Sequence, residues 1–180
     1  MTTRPSIAAP VVGQPISQSY LNAQVYTPIN YLYNYAPQVL AYASISANTT
    51  TVTTTEAVAI TTGSITFQNG RAYRISYKGL GSGTVNGDEG QFRVRKTNLS
   101  GTAWVDSFGH YLPNGNSMFD VQNICVNNSG SDVTAALVGT YARYQGTGSI
   151  SVAASTNNVA YVLVEDMGLA ANFPGATPIT

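Results

Sequence analysis

Apolar and polar positions along this chain follow two periods. Between residues 17 and 35, Leu21, Val25, Ile29 and Leu32 recur at spacings of four, four and three, which draws one apolar stripe along a helix. Ser17 stands where a helix cap is expected, with Ile16 before it as a hydrophobic staple. Pro28 falls inside the stripe. Thr27-Pro28 also fits a cap followed by a first helical position, so the pattern allows one kinked helix or two short ones. Five tyrosines, Tyr20, Tyr26, Tyr31, Tyr33 and Tyr35, crowd this segment. Two readings stand at this point: a helix packed on the edge of a β domain, or a helix packed on copies of itself around a symmetry axis.

From Val39 onward the period shortens to two. In 71–78, Tyr73, Ile75 and Tyr77 alternate with Arg74, Ser76 and Lys78; in 91–97, Phe92 and Val94 alternate with Arg93 and Arg95. Strands are predicted over 39–46, 50–54, 57–61, 64–67, 71–78, 91–97, 103–108, 118–126, 133–144, 148–153 and 159–166. Turn signals separate them: Asn69-Gly70, Gly79 through Gly90, Asn98 to Gly101, Pro113 to Asn116, Asn127 to Ser131, Gly146 to Gly148, and Thr156 to Asn158. Many short strands with regular turns predict an all-β sandwich or jelly roll, and the absence of strand–helix alternation excludes a doubly wound sheet.

Pro5, Pro10 and Pro15 interrupt residues 1–16, which read as an extended arm carrying Ile7, Val11 and Val12. Pro174, Gly175 and Pro178 give residues 167–180 the look of a second extended tail. The expected order is therefore an arm (1–16), a helical attachment segment (17–35), a jelly-roll-like β-sandwich (39–166) and a C-terminal tail (167–180).

Composition sharpens this picture. Of 180 residues, 9% are charged and 43% are hydrophobic; soluble domains usually carry about 25% charged residues. Thr, Ser, Asn and Gly have replaced the missing charge, and the chain holds only two Lys and three Glu. Net charge is zero, so nothing steers the protein to nucleic acid or to an anionic membrane surface. The start lacks the pattern of a secretory signal, and no apolar run approaches a membrane span. A surface this poor in charge solubilises a lone monomer badly, which points to burial in an assembly.

Candidate chemistry is sparse. The single cysteine, Cys125, reads as a small core residue, and one Cys excludes an intrachain disulfide or a cysteine zinc cluster. The single histidine, His110, reads as a loop or interface residue; no Gly-x-Ser-x-Gly elbow accompanies it. Glu165 and Asp166 are neighbours in a strand and should face opposite ways. Asn86, Asp88 and Glu89, in the loop 81–90, offer oxygens like a calcium loop but lack its spacing; a mobile hairpin connection is the alternative. Arg93, Arg95 and Lys96 read as strand-surface charges that discourage edge pairing. No catalytic residue, cofactor or metal is expected. Trp104, Tyr111, Tyr141 and Tyr144 are candidate stacking surfaces for a glycan.

Two phrases carry a family resemblance. Val12-Gly13-Gln14-Pro15-Ile16, Leu21-Asn22-Ala23 and Tyr26-Thr27-Pro28-Ile29-Asn30 resemble the opening of minor tail proteins from tailed phages of actinobacteria, and Tyr161-Val162-Leu163-Val164-Glu165-Asp166-Met167-Gly168 resembles the close of their β domains. The phrases cover about residues 12–32 and 161–168. The resemblance implies a virion structural protein without an active site, assembled in the host cytoplasm. It implies a homotrimer joined through the arm and helix, with Leu21, Val25, Tyr26, Ile29, Leu32 and Tyr33 as the interface. Other virion proteins of tail or capsid are its partners, and a host-surface glycan is a further candidate. A capsid decoration or head-fibre protein is the second reading, and a carbohydrate-binding module the third.

Overall fold

The computed structural model describes residues 17–35, without the side chains of 34 and 35, and residues 37–180. The predicted arm thus lies outside the described residues. A helical segment comes first: α1 (Gln18–Leu21), a π-helical turn (Asn22–Tyr26) and α2 (Thr27–Tyr35). Thirteen strands follow: β1 (Gln38–Ile45), β2 (Ala57–Thr61), β3 (Ile65–Phe67), β4 (Arg71–Gly83), β5 (Asp88–Lys96), β6 (Ala103–Asp106), β7 (His110–Leu112), β8 (Gly115–Asn127), β9 (Val133–Ala135), β10 (Leu137–Gln145), β11 (Ile150–Ala153), β12 (Ala160–Leu169) and β13 (Thr177–Pro178).

One sheet runs β1-β12-β4-β8-β13, with β11 beside the far end of β4. The other runs β2-β10-β5-β6, with β7 also on β5, and β3-β9 forms a small third ribbon. Eight principal strands, β1, β2, β4, β5, β6, β8, β10 and β12, counted in chain order, give sheets 1-8-3-6 and 2-7-4-5. That order is the antiparallel jelly roll, so the predicted fold class holds. Strand pairs with wide sequence separation close it: β4 and β8 stay in register over thirteen pairs, from Arg71 opposite Asn127 to Gly83 opposite Gly115.

Alternation explains the core. Tyr73, Ile75 and Tyr77 from β4 and Phe92 and Val94 from β5 point inward and are fully buried. Phe92 and Phe119 stack at 3.9 Å between ring centroids, and Tyr77 meets Phe119 edge-on at 4.8 Å. These large rings need space on the facing strands, and glycines provide it. A Cβ at Gly81 would lie 2.7 Å from the Phe92 ring, and one at Gly79 would lie 2.7 Å from the Ala160 Cβ. The glycines of 79–83 are therefore strand residues where another layer comes close, not the turn that the sequence pattern predicts. Strand β4 runs on to Gly83 and β5 starts at Asp88.

Three further expectations change. Residues 50–54 form no strand; Val52 alone bridges to Ile150. The three-residue strand β7 appears where none was expected. The tail 167–180 is docked: β12 extends to Leu169, β13 pairs in parallel with β8, and Ile179 is buried in the main core.

Candidate assembly interface

Local sequence builds the helical segment as predicted at its start. The Ser17 hydroxyl accepts the Tyr20 N–H at 3.1 Å. Pro28 has no N–H to donate and its ring crowds the carbonyl one turn back, so the preceding turn widens to the π form. The Thr27 N–H reaches the Asn22 carbonyl across that turn, and its hydroxyl donates to the same oxygen at 2.8 Å. The helix thus passes Pro28 without breaking.

This segment touches the sandwich at one end. Arg71 at the start of β4 grips the Asp166 carboxylate with two prongs, at 2.9 and 2.8 Å, and both side chains are buried. The same guanidinium donates to the Tyr33 carbonyl at 3.0 Å and lies 5.1 Å from the centre of the Tyr33 ring. The Tyr33 hydroxyl donates to Gln68 Oε1 at 3.4 Å. The carboxylate of Asp166 also accepts the Gly168 N–H at 2.8 Å, across the β-bulge near the end of β12. Each polar letter of the Glu165-Asp166-Met167-Gly168 phrase thus has a place. Glu165 pairs with Arg74 at 2.7 Å on the other face, as the alternation predicts.

None of residues 17–33 is buried. The six predicted interface residues, Leu21, Val25, Tyr26, Ile29, Leu32 and Tyr33, are 43–64% exposed. Val39, Leu40 and Tyr42 on β1 are exposed as well.

The glycan candidates divide. Trp104 and Tyr141 are corrected: both are 1% exposed. Trp104 meets Phe67 edge-on at 5.2 Å, and the Tyr141 hydroxyl donates to the Thr50 carbonyl at 2.7 Å. Neither ring can reach a sugar. Tyr111 and Tyr144 are exposed, and so is Phe108, which the sequence reading missed. Phe108 and Tyr144 lie 5.5 Å apart, and Arg93 sits 5.7 Å from the Phe108 ring. Nearby, Arg93 bonds Asp106 at 2.8 Å and Arg95 bonds Glu56 at 2.8 and 2.9 Å. Burial would raise the Glu56 pKa, but bonds from Arg95 and Thr140 and the charges of Arg95 and Arg93 hold it below the usual carboxylate range. These arginines are spoken for by carboxylates of their own sheet face.

The remaining chemistry is structural. Asp88 is fully buried; its carboxylate accepts the N–H groups of Val85, Thr147 and Gly148 at 3.2, 3.1 and 2.9 Å. Its oxygens staple two connections together and do not face a calcium-like loop. Burial pushes the Cys125 thiol up to about 12. The His110 ring lies 6.4 Å from Phe119, six residues along β8 from Cys125. At about 3.3 Å per strand residue that is on the order of 20 Å, too far for a Cys–His pair.

No protein-family model and no curated protein matches the chain. Among solved structures, similarity is found to infectious bursal disease virus. One match is a structure of the Gx strain, with 14% identity and a TM-score of 0.47, covering 80% of this chain and 34% of that one. Another is the VP2 subviral particle, with 11% identity and a TM-score of 0.46, covering 79% and 35%. The chain spans about a third of the length of those proteins. Likeness at this level assigns neither a family nor a function.

Proposed function

We propose that this protein is a structural subunit of a tailed-phage virion, a minor tail protein that assembles as a homotrimer through residues 17–33. The observation that carries the assembly reading is a helix without a core. Helices in proteins draw most of their stability from burying an apolar face. This one presents Leu21, Val25, Ile29 and Leu32 to solvent, and its last turn is tied to the sandwich through Arg71. A second and third copy of the same stripe supply the missing partner. Burial stabilises such contacts by about 25 cal/mol per Å² of apolar area. The scarcity of charge over the whole chain and the two phage-like phrases support the virion as the setting; a jelly roll alone does not name a function.

The test is solution mass. The full chain is expected to run as a trimer, and Leu21→Asp/Ile29→Asp as a monomer with an unchanged circular-dichroism spectrum in its β region. A double variant that still assembles overturns the role of the helix. Labelled particles then separate tail from capsid: signal confined to the shell supports a decoration protein.

Exposed Phe108, Tyr111 and Tyr144 on the outer side of the second sheet favour one addition, contact with a neutral host-surface glycan through stacked rings. A glycan array that stays blank with the assembled protein removes it.

A further inference from the structure

Strand β1 is an edge strand whose defence is a single bulge near its start. Among the described residues it pairs only with β12, and its other side bonds to nothing. Its eight residues, Gln38 to Ile45, contain no charge and no proline. Native sheets usually blunt such an edge with Lys, Pro, a bulge or a covering element. Here one bulge, between Val39 and Ala41, disturbs the start, and Ala41–Ile45 remains regular. The opposite side of the same sheet is managed differently: β13 covers the end of β8, and β8 carries Asp120, paired with Lys78 at 2.7 Å.

We propose that the free edge of β1 accepts residues 6–11 of a neighbouring copy as an added strand. The inference rests on the helix-mediated association proposed above. Charge matching favours this occupant, since Ser6 to Val11 is as neutral as β1. Parity favours it too. If Ile7, Ala9 and Val11 turn their N–H groups toward β1, Pro10 falls on the outward side, where a missing donor costs nothing. The helical segment from residue 17 to 35 spans about 28 Å at 1.5 Å per residue, and the bonds to the sandwich at Tyr33 lie at its far end from Ser17. Residues 12–16, which would link the added strand to the helix, span up to about 17 Å at 3.3 Å each. Main-chain bonds of this kind are the basis of strand addition in peptide recognition.

Hydrogen exchange tests the pairing while mass tests the assembly, so the two readings fail separately. In the full-length trimer, amides of residues 41–45 should exchange about tenfold more slowly than in Ala9→Pro, which removes an inward donor. Ala8→Pro, whose donor faces outward, should leave the protection in place. A chain carrying Val11→Cys, co-expressed with a differently tagged Ser44→Cys chain, should link to it through a short bis-maleimide; buried Cys125 does not compete. Equal exchange in all three proteins overturns the proposal. Protection without a link between the tagged chains overturns the neighbour as its source.

Discussion

Arg71 and Asp166 form a two-pronged ion pair at 2.9 and 2.8 Å, ninety-five residues apart in sequence, and the guanidinium also donates to the Tyr33 carbonyl. This single contact joins the first long strand, the last one and the helix that precedes them. Removing one partner leaves the other charged and buried, which costs about 3–5 kcal/mol. Asp166→Ala should therefore lower unfolding stability by that amount, read as a shift in the denaturant midpoint at constant slope. Arg71→Met with Asp166→Leu should recover most of the loss, because no uncompensated charge remains. Recovery of stability without recovery of assembly would show that the bracket also aims the helix.

Asp88 acts as a staple. Its carboxylate takes three N–H groups from the connections after β4 and after β10. Asp88→Asn keeps the size but turns one acceptor into a donor facing those N–H groups. A loss of about 1–3 kcal/mol is expected, with faster hydrogen exchange at Thr147 and Gly148. An unchanged midpoint would mean that the two connections hold without it.

Gly81→Ala should destabilise by about 1–3 kcal/mol, the usual range for overpacking a core. The new methyl would lie 2.7 Å from Phe92 and 2.8 Å from Leu112, both fully buried. Gly70→Ala is a useful contrast: there the neighbourhood is empty, and the cost arises from the backbone at φ +78°. Thermal melts of the two variants separate the mechanisms, because Phe92→Leu should relieve Gly81→Ala and leave Gly70→Ala unaffected.

The same glycine shows where the sequence could be read and where it could not. The Ser17 cap, the stripe of Leu21 to Leu32 and the alternation of 71–78 and 91–97 depend on neighbours within a few residues, and they read correctly. Gly79 to Gly83 looked like a turn because its reason for being glycine sits on other strands, at Phe92, Phe119, Ala160 and Leu112. Thr49 to Thr55 has strand-forming residues and bonds Val152, Ile150 and Arg143 in turn, but these scattered bonds make one bridge and no continuous ladder. Trp104 and Tyr141 looked like surface aromatics in the absence of facing residues; alternation put them inward. Ile179 is buried through the parallel pairing of β13, which no local pattern marks.

His110 gives the chain a pH dependence with a definite sign. Its Nε2 is buried and finds no hydrogen-bond partner among the described residues, and Phe92 and Phe119 flank the ring at 5.7 and 6.4 Å. Burial therefore lowers its pKa below the ordinary 6.5. As pH falls through 6.5 the unfolded chain takes up a proton that the folded chain still refuses. Stability attributable to this group is thus complete above that value, falls as pH drops through it, and levels off below the folded pKa. His110→Leu keeps an apolar filler and removes the titration. Melting curves of both proteins between pH 5 and 7.5 should diverge, the native protein losing ground on the acid side and the variant staying flat. Parallel curves would place the imidazole in contact with water, and the buried nitrogen would then have no energetic consequence.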